Sequence, residues 1–493
     1  MYLGIDLGTT SLKVILVNDQ LDCIATESSP LTVSRPQPLW SEQNPHDWWN
    51  ALNIGMQQLR DKYPAEIKKI KAIGFSGQQH GATLLDRAGN VLRPAILWND
   101  GRSSEECLQL MSQVKNATQI VGSIIMPGFT APKLLWVKKH EPEIFKKIHK
   151  ILLPKDYLRF LMSGDFATDL SDASSTAWLD IKNRKWSQEL LSACDLTLDH
   201  MPTAFEGNEV TGKIKKSIAD QWGLSDQVKL VAGAGDNAAS AMSMGSVNPH
   251  VAYLSLGTSA TFFVACENYQ PNPDAAIHTW CHAVPNYWHH IAVHLNGASA
   301  VTWLTTLFES DISQLLAPMK TATKKSHTDN LIFLPYLSGE RTPHNNPHAC
   351  GAFFGLNHTT DKAAMTMAVL EGTIFGIALG YEALMQDPTL KINEISVVGG
   401  GSTNDTWGIM FASALQQSLT YRKVREVGAA FGAAKLAWMA DNPRLSSHNH
   451  KEPEIEKILQ PNDELVLAYE KKYQLFKALY KSTEALTKIS AKN

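Results

Sequence analysis

A chain of 493 residues is too long for one compact core, so two domains of about 200–250 residues each are expected. Hydrophobic residues make up 44% and charged residues 19%, an ordinary globular composition with ample material for a core. With 45 Lys and Arg against 48 Asp and Glu, the net charge of -3 gives no electrostatic case for nucleic acid or an acidic membrane surface as partner.

The opening residues, Met1-Tyr2-Leu3-Gly4-Ile5-Asp6, lack the basic segment and apolar stretch of a secretory signal, and no apolar run is expected to cross a bilayer. The six cysteines are scattered without a CxxC pair, so they are expected to be buried free thiols in a reducing, cytoplasmic compartment. The same opening carries a more telling pattern. Leu7-Gly8-Thr9-Thr10-Ser11 punctuates two apolar runs and predicts a strand, a tight turn and a returning strand. Such a turn offers backbone N–H groups and hydroxyls to phosphate oxygens, with glycine allowing close approach. Asp6 beside it suits Mg²⁺, an ion that keeps much of its water, or serves simply to brace the turn.

A helical pattern over 45–63 leads to a predicted strand over 70–77. That strand ends in Ser76-Gly77-Gln78-Gln79-His80-Gly81, rich in amides and an imidazole. Leu97-Trp98-Asn99-Asp100-Gly101-Arg102 adds an aromatic face beside amide, acid and guanidinium groups, the mixture a polyhydroxyl ligand needs. For His80 alone, a satisfied core histidine is the commoner fate. The stretch Gly207 to Lys213 imitates a phosphate-binding P-loop, but Ile214 stands where a Mg²⁺-binding Ser or Thr is required. It is set aside.

Leu230 to Ala239 contains Gly233-Ala234-Gly235-Asp236-Asn237, superficially a dinucleotide-binding turn. Asp236 argues otherwise, because it would place a carboxylate where a pyrophosphate must sit. A carboxylate at a glycine-lined helix start is better used as the base that deprotonates an alcohol, and the helix dipole is expected to lower its pKa and keep it ionised. A domain boundary is expected near Ser246, giving domains 1–246 and 247–493. Beyond it, Leu256-Gly257-Thr258-Ser259 repeats the first turn about half a chain later. Helical patterns over 362–385 and 406–417 flank a strand over 392–399 and the run Gly399-Gly400-Gly401-Ser402-Thr403-Asn404, where absent side chains admit a flat ligand or form a hinge. Residues 463–488 form an amphipathic pattern whose stripe of Leu465, Tyr469, Tyr473, Phe476 and Tyr480 is read as packing. Strands alternating with helices predict an α/β fold with sheets covered on both faces.

The stretches "GIDLGTTSLK", "LWSEQNPHDWW", "SGQQHG", "LWNDGR", "GFTAPKLLWVKKH", "GAGDNAA", "LSLGTSA", "YLSGERTPHNNP", "GAFFGL" and "VVGGGSTN" resemble the FGGY family of carbohydrate kinases over nearly the whole chain. The resemblance implies two ribonuclease-H-like domains of the actin, sugar-kinase and Hsp70 superfamily, with ATP and sugar meeting in an interdomain active-site cleft. It implies Asp236 as base and Asp6 as the residue placing Mg²⁺. Gly8, Thr9, Thr10, Lys13, Gly257 and Thr258 would line the phosphates, and Gly400, Gly401 and Asn404 the adenosine. Gln79, His80, Trp98, Asp100, Asp236 and Asn237 would surround the sugar. "LLPKDYLRFLMSG", "TDLSDASSTAWLD" and "SGERTPHNN" point within the family to members acting on D-xylulose, with ribulose, gluconate, erythritol or glycerol as alternatives. An ATP-driven conformational protein without a small-molecule substrate and a sensor that binds sugar without phosphorylating it are the remaining rivals. Two positions depart from the pattern: Gln79 where Met is common, and Cys350 where Arg is common. No nucleic-acid or membrane partner is implied, and a homodimer follows only by analogy.

Overall fold

In the computed structural model, described over residues 1–316, 330–399, 404–422, 428–443 and 454–490, the two halves of the chain build two seven-stranded sheets on a common plan. The first runs Val210–Lys213, Lys229–Val231, Ala72–Gly77, Tyr2–Leu7, Ser11–Val17, Cys23–Pro30, with Ala234–Gly235 also pairing with Ala72–Gly77. The second runs His278–Cys281, Trp288–His294, Ala260–Cys266, Val251–Leu256, Glu394–Val398, Leu419–Arg422, Ile455–Leu459.

Tyr2–Leu7 lies antiparallel to Ser11–Val17 and parallel to Ala72–Gly77. Val251–Leu256 stands in the same relation to Ala260–Cys266 and Glu394–Val398. The repeated Gly-Thr motif is therefore a hairpin turn at the same place in each sheet. The first turn is one residue longer, since Leu7 pairs with Leu12 while Leu256 pairs with Ala260. Ala72–Gly77 is buried at every position, as a parallel strand covered on both faces must be. The Pro45–Lys62 helix lies over the neighbouring Ser11–Val17 and Cys23–Pro30 strands and buries Trp48, Leu52, Met56 and Leu59; Asn44 caps it and proline opens its first turn.

The helix Ala429–Asp441 belongs to the second half in sequence yet packs on the first sheet. It approaches so closely that a Cβ on Gly4 would lie 1.9 Å from the Ala430 carbonyl oxygen, and one on Gly74 would lie 1.9 Å from that of Ala433. On its other side Gly432 meets the helix Asp236–Met244, where an added Cβ would fall 1.8 Å from the Ala239 carbonyl oxygen. Lys435, buried here, donates from Nζ to the Met242 carbonyl at 2.9 Å.

Two expectations need correction. The Lys362–Leu384 helix is long and apolar enough to cross a membrane by length and composition, but most of it is buried inside the second half of the chain. The sequence hid this because Glu371 interrupts the apolar run; that carboxylate is paired with Lys472 Nζ inside the core. Cys23 and Cys350 are exposed, and only the other four cysteines are buried. The C-terminal helix Asp463–Ser490 buries Tyr469 and Phe476, with Leu465, Tyr473 and Tyr480 packed beside them.

Because the obstruction at Gly74 is backbone rather than a flexible side chain, Gly74→Ala is expected to destabilise the protein by about 3 kcal/mol. Chemical denaturation checks this, and an unchanged midpoint would mean that the helix is not seated on the sheet as described.

Candidate active site

The Ala72–Gly77 strand delivers Gln78, Gln79 and His80 to its C-terminal end, where ligands gather in sheets of this type. Ala234–Gly235 pairs with the end of the same strand, and Asp236 follows as the first residue of its helix. The carboxylate accepts from its neighbour's backbone, Asn237 N to Oδ1 at 2.7 Å, and from Asn237 Nδ2 at 3.1 Å. Asn237 Nδ2 also donates to Gln79 Oε1 at 3.2 Å. Gln79, His80, Trp98, Asp236 and Asn237 all line one cavity of about 230 Å³, with Ser259 of the second turn on its opposite wall.

His80 is held in a conformation few residues adopt. Its φ is 68°, in the left-handed region, at a cost of about 1–3 kcal/mol. Two donors fix its carbonyl: Lys133 Nζ at 2.9 Å and Thr130 Oγ1 at 3.1 Å. The ring packs at 4.8 Å on Phe129, nearly parallel, and Nδ1 hydrogen-bonds the Ser175 carbonyl at 2.7 Å. Since a carbonyl only accepts, Nδ1 carries the proton and Nε2 is left as an acceptor. Burial drives the imidazole well below its usual pKa, with the Lys133 charge adding to the effect, so His80 is neutral.

Asp6 ends the strand beside the first turn, across from Lys13 and in register with Ser76. Burial raises its pKa to about 6, against the pull of Ser76 and Lys13, and Oδ1 is buried without a hydrogen-bond partner. Among the described residues no group of three or more His, Cys, Asp or Glu gathers to hold a metal. A buried, unpartnered carboxylate oxygen beside a phosphate-type turn fits an ion that takes the rest of its shell from water and phosphate.

Residues 1–243 match the FGGY family of carbohydrate kinases, N-terminal domain, and residues 252–440 match its C-terminal domain. The chain belongs to the FGGY family of carbohydrate kinases. It is accordingly an ATP-dependent sugar kinase. It is 46% identical to the xylulose kinase of Escherichia coli (strain K12), across 97% of this chain and 98% of that one. The xylulose kinase of Klebsiella pneumoniae is 43% identical, across 99% of this chain and 100% of that one. Among solved structures, the crystal structure of a xyloylose kinase from Brucella ovis superposes with a TM-score of 0.95 at 42% identity, covering 98% of this chain and 99% of that one.

Within this FGGY kinase the remaining expected residues are placed unevenly. Asp100 borders a second cavity of about 470 Å³, but its carboxylate is not a free acceptor. It takes Ser41 N at 2.6 Å and Arg102 Nη2 at 2.7 Å, and its side chain is wholly buried, so it braces Arg102 against the loop at Ser41. Thr9 Oγ1 donates to Gln78 Oε1 at 3.1 Å and receives Trp98 Nε1 at 2.9 Å, tying the first turn to the sugar pocket. Thr10 and Thr258 are exposed at their turns, with Gly8 and Gly257 beside them partly exposed. The second turn is braced by Ala298 N on the Gly257 carbonyl at 2.8 Å. Asn404 caps the Asp405–Leu415 helix by accepting from Trp407 N at 3.0 Å. Gly400 and Gly401 lie outside the described residues.

Sequence reading missed the supports of His80 and the far wall. Lys133 was visible as one cation within the apolar helix-forming stretch "GFTAPKLLW"; nothing local marked Trp280, His278 or Arg341 as pocket residues.

The expected depression of the Asp236 pKa is also overturned. Burial and the nearby Asp6 charge raise it to about 7, outweighing the Asn237 backbone bond, because a nine-residue helix terminus cannot offset a desolvated pair of like charges. A base works ionised, so the acid limb of kcat/KM is expected to titrate near pH about 7. Stability runs the opposite way: the raised pKa favours the folded state at acid pH, and that contribution is lost as pH rises through about 7. Asp236→Asn should therefore gain thermal stability over wild type increasingly from pH about 5 to about 8. A constant difference across that range would contradict the buried carboxyl.

Proposed function

We propose that this kinase converts D-xylulose and ATP to D-xylulose 5-phosphate and ADP, with Asp236 as general base. The single observation carrying the base is its position: it starts a helix at the sheet's C-terminal end and lines a cavity with Gln79, His80, Trp98 and Asn237. The xylulose kinase relatives at 46% and 43% identity support the choice of sugar.

In this reading the sugar's primary hydroxyl oxygen attacks the γ-phosphorus and the bond from γ-phosphorus to the β–γ bridging oxygen breaks. The hydroxyl proton passes to Asp236 and ADP departs with the bridging oxygen. Asn237 and Gln79, joined by a hydrogen bond, orient the sugar beside the carboxylate, and Nε2 of His80 accepts a hydrogen bond from a second hydroxyl. Backbone N–H groups and hydroxyls at Gly8, Thr9, Thr10, Gly257 and Thr258 would bind phosphate oxygens, with Lys13 adding charge. Asp6 would hold Mg²⁺ through water, the ion neutralising phosphate charge. Gly400, Gly401 and Asn404 would border the adenosine. The domain division near Ser246, a cytoplasmic location and a homodimer belong to the same reading.

A coupled ADP-release assay across pentuloses, gluconate, erythritol and glycerol tests the substrate; D-xylulose should give the highest kcat/KM. A tenfold preference for any other member would replace the assignment. Asp236→Ala is expected to lower kcat by about 10²–10⁴-fold, and near-normal turnover would remove it from the mechanism.

A further inference from the structure

Both cavities of the cleft share an arginine that the mechanism above does not use. Arg341 lines the 230 Å³ cavity with Asp236 and also the 470 Å³ cavity, which Asp236 and Asn237 do not reach. It therefore borders both, as His80, Trp98 and Phe129 do. Its guanidinium donates and never accepts. Among the described residues it has no ion pair and no side-chain hydrogen bond.

The acids nearby are committed elsewhere. Glu340 accepts from Leu295 N at 2.7 Å, from Arg341 N at 2.8 Å and from Asn296 Nδ2 at 3.3 Å. Asp100 is occupied by Ser41 and Arg102. The charge of Arg341 reaches across the pocket: with burial, it helps hold His278 down at about 3 and contributes to keeping His80 neutral. A largely desolvated cation without an acceptor is expensive, and a sugar brings several acceptor oxygens.

We propose that Arg341 is a specificity-determining residue of the sugar site, donating from the second half of the chain to substrate oxygens in the cavity it shares with Asp236. The assignment rests on the sugar-kinase reading and extends it: an oxygen-rich or anionic substrate terminus is favoured at the guanidinium. D-Xylonate, the five-carbon aldonate, is then expected to bind as a competitor of the sugar.

Calorimetric titration of D-xylulose and of D-xylonate, without ATP, into wild type, Arg341→Met and Arg341→Lys tests this. Arg341→Met should weaken D-xylulose roughly tenfold or more and abolish D-xylonate binding, while the KM for ATP stays within about twofold. Arg341→Lys should restore part of the D-xylonate affinity. Wild-type affinity for D-xylulose in Arg341→Met, or no D-xylonate binding by wild type, would overturn the proposal. If Arg341→Met does not fold, wild type and Arg341→Lys still decide it through D-xylonate. If wild type fails to turn over D-xylulose, the substrate reading falls; D-xylonate binding lost in Arg341→Met would still support the role of Arg341.

Discussion

Everything at the cleft depends on how closely one helix approaches the backbone of the first sheet. Ala429–Asp441 lies so near that Gly4, Gly74 and Gly432 have no room for a methyl group. The same helix backs the Asp236–Met244 helix, so Asp236 is positioned by contact between main chains. Long side chains could adjust by rotamer changes; abutting backbones have little slack. The Asp441 carboxylate completes the seat by accepting from Lys229 Nζ at 2.9 Å and from the Tyr2 hydroxyl at 3.0 Å.

Behind Asp236 lies a buried ionic cluster with no access to solvent. Lys155 reaches Asp156 and Asp169 at 2.7 Å each and Asp172 at 3.2 Å. Asp169 accepts from Ser171 Oγ at 2.5 Å, and Ser171 Oγ accepts from Gly235 N at 3.2 Å. Gly235, which precedes Asp236, is thus anchored through a serine to a charged network. A buried pair of this kind is poor evidence for net stability. Its value here is directional, because it fixes where the Asp236–Met244 helix begins.

Much of this was legible in the sequence because it is written in local signals. The hairpin echo at Gly8 and Gly257, the strand before Gln79 and the glycines before Asp236 each depend on turn chemistry and periodicity within a few residues. What stayed hidden depends on neighbours far along the chain. The Asp236 pKa is set by burial and by Asp6, 230 positions away, which outweigh the local bond from Asn237 N that pulls the other way. Asp100 looked like a sugar ligand because its segment is polar; its commitment to Ser41 appears only once the chain has folded. Arg341 lies in the quoted stretch "YLSGERTPHNNP", but its lack of a partner is a property of three dimensions that no local pattern shows.

The hydrogen bond from the Trp98 indole to Thr9 gives the two halves of the ligand site a common member. The Thr9 hydroxyl has a single proton, now directed at Gln78. If, as proposed, a phosphate oxygen takes that proton, the amide is released one residue from Gln79 in the 230 Å³ cavity, so the proposed phosphate and sugar sites are coupled. By thermodynamic reciprocity, whatever sugar does to nucleotide affinity, nucleotide does equally to sugar affinity.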